Sequence, residues 1–236
     1  MKNDLKVVNF HIWSALITMY NLCGSPDEAE KVFRQSRAEG ANKVHVWNAM
    51  LNCYGNYGRG KEALTRFDEM KRQHAVTPDD VTYVHMLNAC SHSGLVEEGL
   101  RVYEEMKVVM MVTPKITHQG CLVDLLGRAG RLDEAEKAIA DSPFPPDDRM
   151  WRSLISACRT HGDLDRAQRA AEKAIALSSH DPTTYLMLCN FLGAKGRFQE
   201  MEDLGREMKR KGIDKQSGQS WLEVDGVVHA FVAATR

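Results

Sequence analysis

Glycine recurs through this chain at a period that a single globular core would not produce. The glycines at positions 24, 58, 94, 130, 162 and 196 are separated by 34, 36, 36, 32 and 34 residues. Around one of them, the stretch CLVDLLGRAGRLDEAEKA at 121–138 has apolar residues at helical spacing, a break at two glycines and a second helical run. Each period is therefore predicted to be a helix, a tight turn and a second helix. One such pair cannot bury its apolar stripe alone, so the pairs are expected to stack into a solenoid.

Alignment on these glycines divides the chain into six units and a different C-terminal segment. The units are 10–43, 44–79, 80–115, 116–147, 148–181 and 182–215, with 1–9 as a lead-in and 216–236 as an extension. The predicted fold is all-α: a right-handed α–α solenoid of about six helix-turn-helix repeats, similar to tetratricopeptide repeats, with a short C-terminal β-hairpin. The segment SPFPPDD at 142–148 is the strongest candidate for an internal boundary. A turn rich in helix stops explains that segment equally well.

The C-terminal extension shows strand patterning. Residues 221–224 and 227–232 are short runs rich in β-branched and aromatic residues, separated by Asp225 and Gly226. Asp-Gly between two such runs predicts a two-residue hairpin turn, because both turn positions need positive φ. Since a lone hairpin is marginal in water, it is expected to dock on the last helices or to belong to a domain that continues beyond Arg236.

Several positions keep the same register in most units and are predicted to form the core. Eleven residues before the turn glycine stand Trp13, Trp47, Tyr83, Trp151 and Tyr185, with Gln119 as the exception. Five residues after it stand Ala29, Ala63, Gly99, Ala135 and Ala167, with Met201 departing. Nine residues after it, and expected to face the next repeat, stand Phe33, Phe67, Tyr103 and Ile139. Six cysteines are each assigned to the first helix of a different unit as reduced, buried apolar groups: Cys23, Cys53, Cys90, Cys121, Cys158 and Cys189.

The overall charge and hydropathy exclude several classes of protein. The net charge of −1 and the pI of about 6.8 give no global basic field, so any nucleic-acid contact must use a local stripe. No apolar run approaches the roughly 20 residues that a membrane-spanning helix needs, so no membrane partner is expected. The first residues, MKNDLKVVNFHIW, lack a secretory core and a transit-peptide pattern. Either the chain is not exported from the cytosol or its start is missing.

The sequence offers no recognisable catalytic or metal site. No two cysteines form a CxxC pair and no histidine stands in an HxE triplet, so no metal is expected. No nucleophile with a base at readable spacing, phosphate loop or carboxylate pair stands out. His161 and His180, near turns, are read as solvated or capping residues. The chain is therefore predicted not to be an enzyme, with no catalytic residues and no cofactor.

Several strings together resemble the plant-type pentatricopeptide repeat proteins of the class with alternating long and short motifs that ends in E motifs. These strings are LCGSPDEAEKVF, GRGKEALTRFDEM, TPDDVTYVHMLNACSHSGLVEEG, CLVDLLGRAGRLDEAEKAI and WRSLISACRTHGDLDRAQRAAEKAIAL, followed by the tail KRKGIDKQSGQSWLEVDGVVHAFVA. They cover about residues 10 to 232. The resemblance implies binding of single-stranded RNA, one base per repeat, read by two side chains. One is the residue ten before the turn glycine, and the other is the last residue of the unit.

The resemblance assigns a pair of base-reading residues to each of the first four units. Unit two has Asn48 with Asp79, the pair that in this family prefers uracil. The other pairs have no firm assignment, because Lys43 is not a usual partner, Val84 belongs to a long-type motif, and Gly120 lacks a side chain. These pairs are Ser14 with Lys43, Val84 with Lys115, and Gly120 with Asp147. Without the resemblance, solvated surface or helix capping would explain the same residues.

Units five and six place Arg152 and Leu186 at the reading position, and leucine cannot hydrogen-bond a base. In the family, E motifs are tied to protein contact and to recruitment of an editing deaminase, so residues 148–215 are assigned to a protein partner. The implied function is an RNA-binding adaptor in organellar RNA processing such as C-to-U editing, located in the mitochondrion or chloroplast, with catalysis in trans. The alternative is a tetratricopeptide-like protein-interaction scaffold without RNA binding.

A basic cluster near the end either touches phosphates or complements a helix C-terminus: Arg206, Lys209, Arg210, Lys211 and Lys215.

Overall fold

The structure is a computed structural model that describes residues 10–72, 76–108, 112–213, 219–224 and 227–232. Within these residues the chain forms twelve α-helices and two strands. The helices are α1 Phe10–Leu22, α2 Pro26–Ala38, α3 Val44–Asn56, α4 Gly60–Arg72, α5 Asp80–Ser93, α6 Val96–Val108, α7 Ile116–Arg128, α8 Leu132–Ala140, α9 Asp148–His161, α10 Leu164–Leu177, α11 Pro182–Ala194 and α12 Phe198–Arg210. The strands are β1 Gln219–Val224 and β2 Val227–Val232. The lead-in 1–9 lies outside the described residues.

Each predicted turn glycine closes the first helix of a helical pair. All six have positive φ, between 65° and 84°. At Gly94 the reason is visible: it follows α5 in the left-handed conformation, and the next amide, of Leu95, donates to the Cys90 carbonyl over 3.0 Å. A side chain at such a position would be strained, so the glycine period marks the period of the turns. The prediction of a helical-pair solenoid is confirmed.

The helices form two rows. The first helices of successive units, α1, α3, α5, α7, α9 and α11, pack on one another, and we call them the inner row. The second helices, α2, α4, α6, α8, α10 and α12, pack on the inner row and form the outer row. Over the described residues, the backbones of successive outer-row helices do not approach one another closely. The inner row therefore presents a continuous helical face, and the proline-rich joint at 142–148 does not interrupt it because α7 packs on α9.

The predicted core positions join one unit to the next. Phe33 meets the Trp47 ring edge-on, with centroids 5.0 Å apart, and Phe67 meets Tyr83 in the same way at 5.6 Å. These are favourable aromatic geometries across the inter-unit boundary. The small residues at the close approach, Ala29, Ala63, Ala135 and Ala167, are fully buried.

Gln119, the exception at the aromatic position, is satisfied by its neighbours. Its side chain is buried, and its Oε1 accepts a hydrogen bond from the Tyr103 hydroxyl over 2.7 Å. Its Nε2 donates to the Ala138 carbonyl over 2.6 Å. A polar pair thus replaces the aromatic pair at this boundary, because tyrosine stands where phenylalanine stands in the two preceding units.

Two other departures have simple causes. Met201 replaces the small residue of the sixth unit opposite Gly193, where a Cβ would lie 3.2 Å from the Met201 sulfur, so the glycine provides the room. The assignment of Cys23 to a buried helical position was wrong, because α1 ends at Leu22 and Cys23 is exposed. The other five cysteines are free and buried or half-buried, and burial raises the pKa of Cys53 and Cys158 to about 11.

Ion pairs and hydrogen bonds join the outer row, where the helix backbones stay apart. Arg37 pairs with Glu69 over 2.6 Å and Lys71 with Glu105 over 3.0 Å. Further along, Arg131 pairs with Glu97, Arg166 with Asp133, and Gln168 bonds Glu200. The inner row is thus joined by apolar packing and the outer row mainly by charge.

The C-terminal strands form the predicted hairpin. β1 and β2 pair antiparallel, with Val224 opposite Val227 and Gln219 opposite Val232. This register leaves two residues between the strands. The predicted Asp225-Gly226 turn itself lies outside the described residues.

Candidate nucleic-acid interface

The structure places the predicted base-reading residues at equivalent points of four successive units. Ser14, Asn48, Val84 and Gly120 each lie in the second turn of an inner-row helix. Their predicted partners are the N-cap residues of the next inner-row helix, each with an extended backbone: Lys43 before α3, Asp79 before α5, Lys115 before α7 and Asp147 before α9. Each predicted pair therefore consists of a second-turn residue and the residue that precedes the next inner-row helix.

Unit two brings its pair into direct contact. The Asn48 Nδ2 donates to Asp79 Oδ1 over 3.0 Å, and only 5% of Asn48 is exposed. Asp79 also caps α5 by accepting from the Thr82 amide over 2.8 Å. The Thr82 hydroxyl lies 2.8 Å from Asn48 Oδ1 and accepts from the Asp79 amide over 3.0 Å. Sequence reasoning missed Thr82, which completes a capping box with Asp79 although the usual sequence signal has Glu or Gln at that position.

In units one and three, hydrogen bonds and ion pairs direct the predicted residues elsewhere. The Ser14 hydroxyl donates to the His11 carbonyl in its own helix over 3.1 Å, and Lys43 is exposed. Lys115 forms an ion pair with Asp80 at the start of α5. The hydrogen bond from Lys115 and its positive charge hold the pKa of the Asp80 carboxyl below its usual value. Val84, half-buried, has no polar atom to pair with Lys115.

In unit four the missing side chain opens a cavity. A Cβ built at Gly120 would meet nothing within 4 Å. The space belongs to a cavity of about 410 Å³ between α5, α7 and α9, within the usual size range of small-ligand sites. Its lining includes Val84 and Gly120 at the reading positions and Asp124, Asp147 and Ser153 as polar groups. The structure thus brings two predicted reading positions to one cavity.

His118 is a second residue that sequence reasoning missed. It is fully buried at the third position of α7, where α5 has Thr82. Its Nδ1 accepts from the Lys115 amide over 3.0 Å, so its Nε2 carries the proton and donates to the Asp80 carbonyl over 2.8 Å. His118 therefore caps α7 and ties it to the start of α5.

Unit five pairs its two equivalent residues by charge. Arg152 contacts Asp181, the last residue of that unit, over 2.5 Å and Asp148 over 2.9 Å. The pKa of Asp181 is lowered first by the Thr183 hydroxyl and amide and then by Arg152. In unit six Leu186 is half-buried. The positive charge of Arg152 is thus compensated by two carboxylates within the protein.

The C-terminal basic cluster is partly neutralised. Arg206 lies 2.9 Å from Asp203, and Lys211 lies 2.6 Å from Glu207 and 3.0 Å from the Tyr185 hydroxyl. Lys209 and Arg210 stand in the last turn of α12, where positive charge complements the helix carbonyls. These contacts favour the helix-end explanation. Lys215 lies outside the described residues.

The two histidines near turns differ in their contacts. His161 Nε2 lies 3.2 Å from the Arg128 carbonyl at the end of α7, and His180 Nδ1 lies 3.0 Å from the Ser179 hydroxyl. Both are exposed.

Across the part of the chain that the structure describes, no group of three or more His, Cys, Asp or Glu residues could hold a metal ion. No helix in that part is long and apolar enough to span a membrane.

Comparison with known families identifies two kinds of motif in this chain. Models of the pentatricopeptide repeat, or PPR, match residues 11–40, 42–92 and 81–108, and the E motif model matches residues 161–223. The PPR-containing protein At5g48910 of Arabidopsis thaliana is 42% identical over 219 residues, which are 93% of this chain and 33% of that protein.

The chain belongs to the pentatricopeptide repeat family. Its E motif places it in the class with long and short motifs that ends in E motifs. A putative PPR protein of Arabidopsis thaliana, At5g59200, is named chloroplastic and is 39% identical over 97% of this chain and 41% of its own length. The chain thus spans about a third of the length of the curated PPR relatives it matches. Every family model that matches describes a repeat or motif and none an enzymatic domain.

Solved PPR structures share the fold. The crystal structure of PPR10 from maize superposes with a TM-score of 0.70 at 24% identity, over 85% of this chain and 29% of that one. PPR10 in complex with an 18-nt psaJ RNA element superposes with a TM-score of 0.59 at 24% identity, over 87% of this chain and 34% of that one. At this identity the likeness concerns the fold alone.

Proposed function

We propose that this chain is a sequence-specific, single-stranded RNA-binding adaptor. The four repeats at 10–147 bind RNA along the inner row, and the two E-motif units at 148–215 contact a protein partner. One observation carries the proposal: Asn48 and Asp79, predicted to read one base together, are held within hydrogen-bond distance by two successive inner-row helices. Recognition of one base per repeat requires polar side chains that are held in a fixed position within the repeat, and this pair meets that requirement.

The remaining units contribute to different degrees. Unit two is assigned to uracil. Units one, three and four supply Ser14 with Lys43, Val84 with Lys115, and Gly120 with Asp147, and the cavity at Gly120 gives the last of these room for a base. The RNA-bound PPR10 supports RNA as the ligand class of this fold.

The process we propose is organellar RNA processing such as C-to-U editing. The E motif supports this assignment, and so does the relative that is named chloroplastic. Catalysis is assigned to a deaminase or other partner bound in trans through 148–215. The internal compensation of Arg152 supports a protein-facing role for unit five, because a neutralised guanidinium attracts phosphate weakly. The compartment we propose is the mitochondrion or chloroplast.

The first experiment is selection from a pool of random single-stranded RNA with the full chain. We expect enrichment of uracil at one position, and a shift toward a purine in the Asn48→Ser, Asp79→Asn double variant. The matched control is Arg152→Gln, Asp181→Asn, which changes the equivalent pair of unit five. The control should leave the selected base unchanged, since unit five is not assigned to RNA.

Failure to retain any RNA, at low salt as at high salt, would contradict the adaptor function. That result would favour the alternative of a protein-interaction scaffold. The specific observation behind this alternative is that, among the described residues, three of the four predicted pairs show no hydrogen bond or ion pair between their two members. Peptide binding by the unaltered chain, lost in variants of 148–215, would then be the function to measure.

A further inference from the structure

The Asn48 amide is enclosed by two polar side chains from the start of α5. Its Nδ2 donates to Asp79 Oδ1 over 3.0 Å, and its Oδ1 lies 2.8 Å from the Thr82 hydroxyl. Asn48 is 5% exposed and Thr82 is fully buried. Both hydrogen bonds therefore form where little water can replace them, and a bond that is not made costs the most in such surroundings.

The count of lone pairs fixes the direction of each hydrogen bond. Asp79 Oδ1 accepts from the Thr82 amide over 2.8 Å as well as from Asn48, and these two N–H groups occupy its two lone pairs. The Thr82 hydroxyl also lies 2.8 Å from Asp79 Oδ1, but its single hydrogen is left for Asn48 Oδ1. An amide turned over by 180° would place its oxygen against the Asp79 carboxylate. The Asn48 donor and acceptor therefore have fixed places in the site.

Uracil and cytosine demand opposite arrangements of donor and acceptor. Uracil offers an O4 acceptor beside an N3–H donor, whereas cytosine offers an N4 amino donor beside an N3 acceptor. An amide that can turn over complements either base. An amide held in one orientation complements only one of them.

We propose, on the basis of the RNA binding proposed above, that Thr82 is a positioning residue of the unit-two base site. Thr82 holds the Asn48 amide in one orientation, and the site, which is assigned to uracil above, therefore rejects cytosine. The selectivity depends on three side chains: Asn48 contacts the base, Asp79 holds the amide nitrogen, and Thr82 holds the amide oxygen.

The test compares Thr82→Val with Thr82→Ser in the full chain. Valine keeps the shape of threonine but has no hydroxyl, whereas serine keeps the hydroxyl. The readout is the ratio of uracil to cytosine that each variant selects at the unit-two position of a random RNA pool. We expect Thr82→Val to lower this ratio roughly 2- to 10-fold, the factor that one ordinary hydrogen bond supplies, and Thr82→Ser to restore most of it.

A stability control separates positioning from capping. Thr82→Val also removes the acceptor for the Asp79 amide, so the thermal midpoint of each variant is measured and binding is assayed well below it. The matched control is Thr184→Val, the same change at the equivalent buried position of α11. It should leave the ratio of uracil to cytosine unchanged.

The outcomes distinguish the two proposals. A folded Thr82→Val variant with an unchanged ratio would overturn the role of Thr82 and leave RNA binding intact. Selection of uracil and cytosine in equal measure by the unaltered chain would have the same meaning. Absence of RNA binding by the unaltered chain would overturn both proposals.

Discussion

Gly120 and Gly127 lie about two turns apart on α7, in opposite surroundings. A Cβ at Gly120 would enter open space, whereas a Cβ at Gly127 would lie 2.8 Å from the Ala157 Cβ of α9. Glycine inside a helix costs stability through the backbone entropy it loses on folding. At Gly127 the missing side chain allows α7 and α9 to approach closely, and at Gly120 it leaves a cavity on the inner row.

The two glycines give a matched pair of predictions for stability. Gly120→Ala should stabilise the protein by about 0.5–1 kcal/mol, because alanine loses less backbone entropy on folding than glycine does and its Cβ meets no clash here. Gly127→Ala should destabilise it by about 1–3 kcal/mol, because α7 and α9 must move apart. Urea unfolding of both variants measures the difference. Equal effects of the same sign would show that packing between α7 and α9 does not depend on Gly127.

At the scale of the helix, sequence periodicity gave the positions of the pairs but not their polar contacts. The glycine period located all six turns, and the aromatic and small positions lie in or against the core, with Trp13 of the first unit only half-buried. The roles of Thr82 and His118 were not predicted, because each depends on the distance to a neighbouring helix that periodicity does not contain. Cys23 was misplaced because α1 ends one residue earlier than the repeat suggested.

The hydrogen bond between Tyr103 of α6 and Gln119 of α7 takes the place of an aromatic contact, and its contribution to stability can be measured. Tyr103→Phe removes the donor to Gln119 Oε1, and a buried acceptor without a partner should cost about 1–3 kcal/mol. Gln119→Leu in the same background removes that acceptor. The double variant should be less destabilised than the sum of the two single variants, as measured by a double-mutant cycle of unfolding free energies. Strict additivity would mean that the two side chains do not interact.

At the scale of the whole molecule, stability is local because each unit packs on its neighbours. At the boundary between units one and two lies Glu30 of α2, a buried carboxylate that contacts Tyr54, Arg34 and Arg66. Burial and the hydrogen bond to Glu30 raise the pKa of the Tyr54 hydroxyl to about 12. This network joins α2, α3 and α4 and has no member in the C-terminal units.

Tyr54→Phe should therefore destabilise one end of the solenoid more than the other. Loss of a hydrogen bond to a charged group should cost about 1.5–3 kcal/mol at the first boundary. Hydrogen exchange should quicken in α1 to α4 and stay unchanged in α9 to α12. A uniform increase along all twelve described helices would show that the solenoid unfolds as one cooperative unit.

The separation of the outer-row helices has a mechanical consequence. In this solenoid the inner row is closely packed and the outer row is bridged mainly by ion pairs. The molecule is therefore expected to bend by changes in the distance between outer-row helices. Its bending stiffness then depends on pairs such as Arg37 with Glu69 and Lys71 with Glu105, whose partly exposed side chains dissolved ions screen in part. Higher ionic strength should thus make the solenoid easier to bend, and so widen the range of spacings at which successive inner-row helices meet a ligand.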